Sequence, residues 1–109
     1  MIAYSDIILM FWLHFIADFF LQSEKMGMNK HKDSKILAYH CFIYSLPFIA
    51  FGWKFALLAG LFHFPIDFVT SRCTHKLYDM KKYHWFFVVI GLDQAIHMTI
   101  LFSTLNFLI

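Results

Sequence analysis

Charge is scarce in this sequence. Lys, Arg, Asp and Glu make up 15% of its 109 residues, while 61% are hydrophobic and 21% aromatic; soluble domains average roughly 25% charged residues. A soluble domain of this length buries only about two-thirds of its surface, so this much Phe, Leu and Ile would leave large apolar patches in water. The net charge of +2 is too small for a nucleic-acid footprint, and nucleic acid is set aside as a partner. Cysteine is equally sparse. Cys41 and Cys73 stand far apart, with neither CxxC nor Cys/His finger spacing, which excludes a zinc ribbon and a disulfide framework and leaves ordinary packing. The stretch from Met1 to Asp6 has no basic region and no small-residue cleavage site follows, so the first apolar run is expected to stay in the mature protein. Also missing are a Gly-rich phosphate loop, a Ser-centred nucleophile elbow and an HExxH helix, so nucleotide binding, serine hydrolysis and zincin-type proteolysis have no support.

What the sequence does have is four apolar runs, about 2–21, 36–53, 55–71 and 85–109. Each is near the ~20 residues that cross a ~30 Å hydrocarbon core. Loop 22–35 holds Lys25, Lys30, Lys32 and Lys35, and loop 72–84 holds Arg72, Lys76, Lys81 and Lys82; the remaining basic residue, Lys54, lies in the middle turn. The positive-inside rule places loops 22–35 and 72–84 in the cytoplasm and both termini outside. Trp53, Trp85, Tyr4 and Tyr83 fall near span ends, where amphipathic rings favour the headgroup zone. Pro47 and Pro65 lie within spans, which membrane helices tolerate. The expected fold is all-α: one transmembrane domain over 1–109, an integral membrane four-helix bundle.

The informative residues are those that an apolar solvent should reject. The first run carries His14 and Asp18, the second His40, the third His63 and Asp67, and the fourth Asp93 and His97. Three ionised Asp at helix centres cost on the order of 8 to 10 kcal/mol on insertion scales, whereas interhelical hydrogen bonds return only about 0.6 kcal/mol each. Spacing sharpens the point. His14/Asp18, His63/Asp67 and Asp93/His97 are i, i+4 pairs, each projecting from one helix face. Two pairs sit in nearly identical hexapeptides, HFIADF at 14–19 and HFPIDF at 63–68, which suggests a duplicated helical hairpin. At about 1.5 Å per residue, all seven residues fall in the cytoplasmic half of the spans. Imidazole and carboxylate on facing helices suit a divalent transition metal, zinc, iron or manganese, better than calcium. Seven candidates exceed what one ion takes, so two ions, or one ion with a base, are expected. Three carboxylates, two divalent cations and a bridging hydroxide sum to zero charge, and a bridging hydroxide is the nucleophile of two-metal hydrolases. Gln94 follows Asp93 and Gln22 lies one turn beyond Asp18, where either can position a ligand or substrate. His31, His75 and His84 lie in or beside loops and read as solvated, with His84 near the mouth of the site.

The stretches HFIADFFLQ at 14–22, Met26 to Lys30, LAYHCFIYSL at 37–46, HFPIDFVTSR at 63–72 and DQAIH at 93–97 together resemble the bacterial and phage membrane family of domain of unknown function 3307. The resemblance runs nearly the full length. It implies a membrane fold, with the bacterial inner membrane as location, and no particular reaction. At Thr70, where the family pattern is expected to carry Lys, the chain departs from it. The paired HxxxD motifs are also similar to those of membrane-bound metal-dependent hydrolases, and that likeness implies hydrolysis.

The expectation is therefore a metal centre of His14, Asp18, His40, His63, Asp67, Asp93 and His97 holding one or two ions. Asp93 serves as base and Gln94 as the substrate-positioning group, acting on a membrane lipid or lipid-linked ester or phosphoester. The competing reading is metal-ion or proton transport or sensing with the same residues, or a non-catalytic membrane partner protein. Topology is testable directly. Single cysteines introduced in 22–35 and 72–84 should label from the cytoplasm and one beside Lys54 from outside; labelling of the Lys54 turn from the cytoplasm would invert the orientation.

Overall fold

A computed structural model describes residues 2–109. Among these residues there are five α-helices and no strand: α1 (Tyr4–Phe15), α2 (Glu24–Asn29), α3 (Ser34–Ser45), α4 (Trp53–Asp79) and α5 (Tyr83–Leu108). A π turn, Ile16–Phe20, prolongs α1, and a 3-10 segment, Leu46–Phe51, prolongs α3. Two of these stretches, Ser34–Phe51 and Tyr83–Leu108, are long and apolar enough to cross a membrane.

Local chemistry explains most boundaries. The π turn is closed by Leu21 N–H donating to the Ile16 carbonyl at 2.8 Å, an i→i+5 bond of the kind found often at functional sites. Pro47 opens the 3-10 segment; lacking an N–H, it cannot continue the α-helical ladder. Gly52, at φ 106°, then turns the chain into α4 through backbone space that other residues rarely enter. Loop 22–35, read above as a plain connection, contains α2. Ser23 Oγ accepts from Met26 N–H at 3.1 Å, an N-cap that seeds this short helix. Loop 72–84 is also shorter than expected, because α4 runs on to Asp79. It ends in a Schellman motif: Lys82 N–H donates to Leu77 O at 2.9 Å and Lys81 N–H to Tyr78 O at 3.0 Å, with Lys81 left-handed at φ 58°.

The two similar hexapeptides fold differently. His14 lies in the last turn of α1 and Asp18 in the π turn, while His63 and Asp67 share uninterrupted α4. Along α4 the buried residues change character, from Phe55, Ala56 and Ala59 to His63, Asp67, Thr70 and Ser71. Along α5 the order reverses, with Asp93 and His97 preceding Leu101 and Leu105. One end of the bundle is thus an apolar plug, joined by Met10, Phe48 and Tyr44, and the polar residues gather beyond it.

Gly60 sets the spacing between α3 and α4 next to that polar layer. A Cβ there would lie 3.0 Å from Ser45 Cβ and 3.2 Å from the Cys41 carbonyl oxygen, whereas one at Gly91 would meet nothing within 4 Å. Small residues let membrane and soluble helices approach this closely. Gly60→Val should destabilise by about 1 to 3 kcal/mol through overpacking, while Gly91→Val should stay within about 0.5 kcal/mol. Thermal melts of the two variants in the same detergent check this; equal melting temperatures would show that the α3–α4 approach is not close.

Candidate metal centre

All seven His and Asp residues singled out from the sequence are buried, from His40 at 0% exposure to Asp93 at 9%. They are not equivalent. Four side-chain atoms from three elements converge most tightly: Asp18 Oδ1 from the π turn, His40 Nε2 from α3, and His63 Nε2 and Asp67 Oδ2 from α4. The His40 nitrogen lies 3.2 Å from the His63 nitrogen, 3.2 Å from Asp18 Oδ1 and 3.3 Å from Asp67 Oδ2. The His63 nitrogen lies 3.5 Å from Asp18 Oδ1 and 3.4 Å from Asp67 Oδ2. A tetrahedral ion with bonds of ~2.0 to 2.1 Å separates its ligands by roughly 3.3 to 3.4 Å; an octahedral one of similar bond length would separate neighbours by only about 3.0 Å. The five separations among the observed atoms have the length of a tetrahedral edge. The Nδ1 atoms of His40 and His63 have no hydrogen-bond partner, so what orients both rings is the point their Nε2 atoms share, helped by stacking of Tyr44 on His63 at 3.9 Å between ring centroids. Buried His/Asp groups of this kind could hold a metal ion, in the triad His40, His63 and Asp67 or the triad Asp18, His63 and His97.

His14 stands outside the ion-facing set, and hydrogen-bond chemistry says why. The Gln94 amide nitrogen lies 3.0 Å from Asp93 Oδ2 and 3.4 Å from Asp18 Oδ2. Ionised carboxylates only accept, so the amide must present its NH2 to them and its Oε1 to His14, 2.6 Å from His14 Nε2. His14 Nε2 therefore carries the proton, and its Nδ1 accepts from the Tyr44 hydroxyl at 3.0 Å. Both nitrogens are occupied and no lone pair remains for an ion. Gln94 likewise has its amide engaged by Asp18, Asp93 and His14.

The Asp93/His97 pair lies beside the tight set. Asp93 Oδ1 accepts from Thr70 Oγ1 at 2.6 Å and lies 3.0 Å from His97 Nε2, although that nitrogen is not aligned for a hydrogen bond. The His97 ring stacks on His63 at 4.1 Å. Thr70, where the family pattern led us to expect Lys, is thus a buried donor to Asp93. Lys30, at the end of α2, places Nζ 2.8 Å from Asp67 Oδ2. Sequence reasoning missed Lys30 because a loop lysine looks like any surface charge, and Tyr44 because a tyrosine in an apolar run looks like a packing residue.

A cavity of about 640 Å³ opens onto this layer, with Asp18, Asp67, Asp93, Thr70, Lys30 and Gln22 among its lining residues. His31 and His75 stack at its mouth, 3.7 Å between centroids. Partial burial, then the neighbouring His75, holds His31 below the usual imidazole range. His84, by contrast, is exposed and packs edge-on against Trp85, away from the lining.

Comparison with known proteins adds one match. The model of a family described as protein of unknown function, DUF3307, matches residues 7–108. No curated protein and no solved structure matches the chain. With nearly every residue covered, from Ile7 in the first turns of α1 to Leu108 at the end of α5, the chain belongs to the DUF3307 family.

Proposed function

We propose that this chain is an integral membrane four-helix bundle that binds a divalent transition metal through Asp18, His40, His63 and Asp67, and uses it to hydrolyse a lipid or lipid-linked ester or phosphoester. The observation that carries the reading is the set of five separations of 3.2 to 3.5 Å among those four ligand atoms. Hydrogen bonding alone is a poor account of it, because two imidazole nitrogens converge on each other as well as on both carboxylates. In this reading α1 with its π turn, α3 with its 3-10 segment, α4 and α5 are the four spans.

Burial supports a membrane setting. The interior holds Asp18, Asp67, Asp93 and four His, while Phe20 is 76% exposed, Phe87 66% and Trp12 63%. Water would favour the reverse arrangement, whereas hydrocarbon favours apolar exteriors and confines ionisable groups to the bundle interior. The ligands Asp18 and Asp67 line the cavity, so water or a substrate oxygen approaching from it can add as a further ligand, as catalytic zinc allows. When bound, the ion supplies Lewis acidity and an acidified water. Asp93 is the base: Thr70 and Gln94 hold its carboxyl group in place, and its remaining acceptor capacity faces the same cavity. The apolar plug of Met10, Phe48, Phe55, Leu101 and Leu105 closes the bundle on the other side, which supports one-sided access over passage through the membrane.

Elemental analysis of protein purified in detergent should find about one divalent ion per chain. His63→Ala and Asp67→Asn should lose it and melt at lower temperature, since an ion bound to the folded state stabilises by mass action. Full metal content in both variants would overturn the ligand assignment. Asp93→Asn should keep most of the metal while turnover of lipid-linked esters and phosphoesters falls at least ~100-fold. Wild-type protein that is loaded, inactive on a broad lipid panel and able to move metal into liposomes would replace hydrolysis with transport.

A further inference from the structure

Lys30 raises a problem that the proposed ion makes acute. Its side chain is 14% exposed and its ammonium lies 2.8 Å from Asp67 Oδ2, the atom that belongs to the four-ligand set. An ion bonded to that oxygen at ~2.1 Å would have the ammonium within about 5 Å. Two cations that close, in a site of low dielectric, repel strongly. One of them must give way. α2 is six residues long, anchored by Met26 and capped by Ser23, and Lys30 sits at its end on a flexible four-carbon stem, so the ammonium can swing while the helix stays.

Lys30 lines the cavity, which gives the ammonium room to move. That cavity is lined by Asp18, Asp67, Asp79 and Asp93, which would repel an anion as long as the carboxylates are uncompensated. Ion binding neutralises Asp18 and Asp67 and releases Lys30 together. A second polar group is waiting there. Ser71 is 8% exposed, its Oγ has no hydrogen-bond partner, and it lines the same cavity. A buried hydroxyl without a partner costs free energy unless a ligand satisfies it. Gln22 Oε1 is likewise buried and unpartnered at the cavity wall, and a swung amide would present its NH2 instead. The remaining walls, Phe19, Met28, Tyr78, Phe86 and Ile90, are apolar.

We infer that Lys30 is an exchangeable internal counterion: it holds Asp67 in the metal-free protein and, displaced by the ion, binds the phosphate group of an acyl-chain amphiphile in the cavity, with Ser71 as a second donor. This rests on the metal reading above and narrows its substrate to phosphoesters. It also imposes an order, ion first and phosphate second, and by linkage the phosphate must tighten the ion by the same factor.

The test uses full-length protein in detergent, with Zn²⁺, dihexanoyl phosphatidic acid, dihexanoylglycerol and inorganic phosphate as probes in calorimetric titrations. Zinc-loaded wild type should bind the phosphatidic acid, and chelator-stripped protein should bind it at least ~30-fold more weakly. Lys30→Met should bind zinc about 10-fold more tightly, having lost the competing cation, and phosphatidic acid about 10-fold more weakly. Lys30→Arg should restore the lipid, and Ser71→Ala should weaken it by about 5-fold without changing zinc. Dihexanoylglycerol binding as well as phosphatidic acid would overturn the phosphate site, and inorganic phosphate binding as well as the lipid would overturn the acyl-chain part. Zinc bound by Lys30→Met with unchanged or weaker affinity would overturn the exchange while leaving the metal centre standing. Wild-type protein that takes up no zinc or other divalent ion would instead remove the metal reading, and the exchange with it.

Discussion

Three carboxylates buried among helices have to be compensated from within the bundle, and the rest of the structure follows from how that is done. Asp18, Asp67 and Asp93 are each at most 9% exposed, and each is held by groups from other elements. His40 bridges toward Asp18 and Asp67, Lys30 meets Asp67, and Thr70 with Gln94 holds Asp93. A buried ion pair stabilises only when its geometry is good and its remaining lone pairs are satisfied. That condition ties the π turn, α2, α3, α4 and α5 to one another more specifically than apolar packing can.

The same condition gives α2 its place in the fold. The helix carries an ammonium to Asp67, Lys30 Nζ lying 2.8 Å from Asp67 Oδ2. Ser23 caps the helix and Met26 is buried beneath it, while stacking of His31 on His75 ties the following residues to the extended end of α4. A segment that resembles a surface loop in composition thus supplies the fourth wall of the cavity and its main positive charge.

Buried apolar and buried polar residues divide between the two ends of the bundle. Near Gly52 the interior is filled by Phe48, Phe55, Leu101 and Leu105; at the opposite end it is filled by imidazole, carboxylate and hydroxyl groups facing a cavity. Access from one side concentrates the field of any bound ion on whatever enters there, since an apolar plug neither solvates charge nor passes it.

By itself the sequence determined the helical class, the apolar runs and the candidate residues, because the i, i+4 spacing of His14/Asp18, His63/Asp67 and Asp93/His97 is a local property of helix geometry. Membership of the DUF3307 family was legible in the same motifs. Ranking those residues was not possible from spacing. Which of them face a common point depends on the rotation and translation of one helix against another, here set by the close approach at Gly60 and by the π turn that carries Asp18. Only the tertiary structure separated His40 and His63 from His14, whose two nitrogens are taken by Gln94 and Tyr44. It alone found Lys30, since a lysine 37 positions from its partner carboxylate has no local signature, and a charge is placed by the fold that brings its counter-charge within reach.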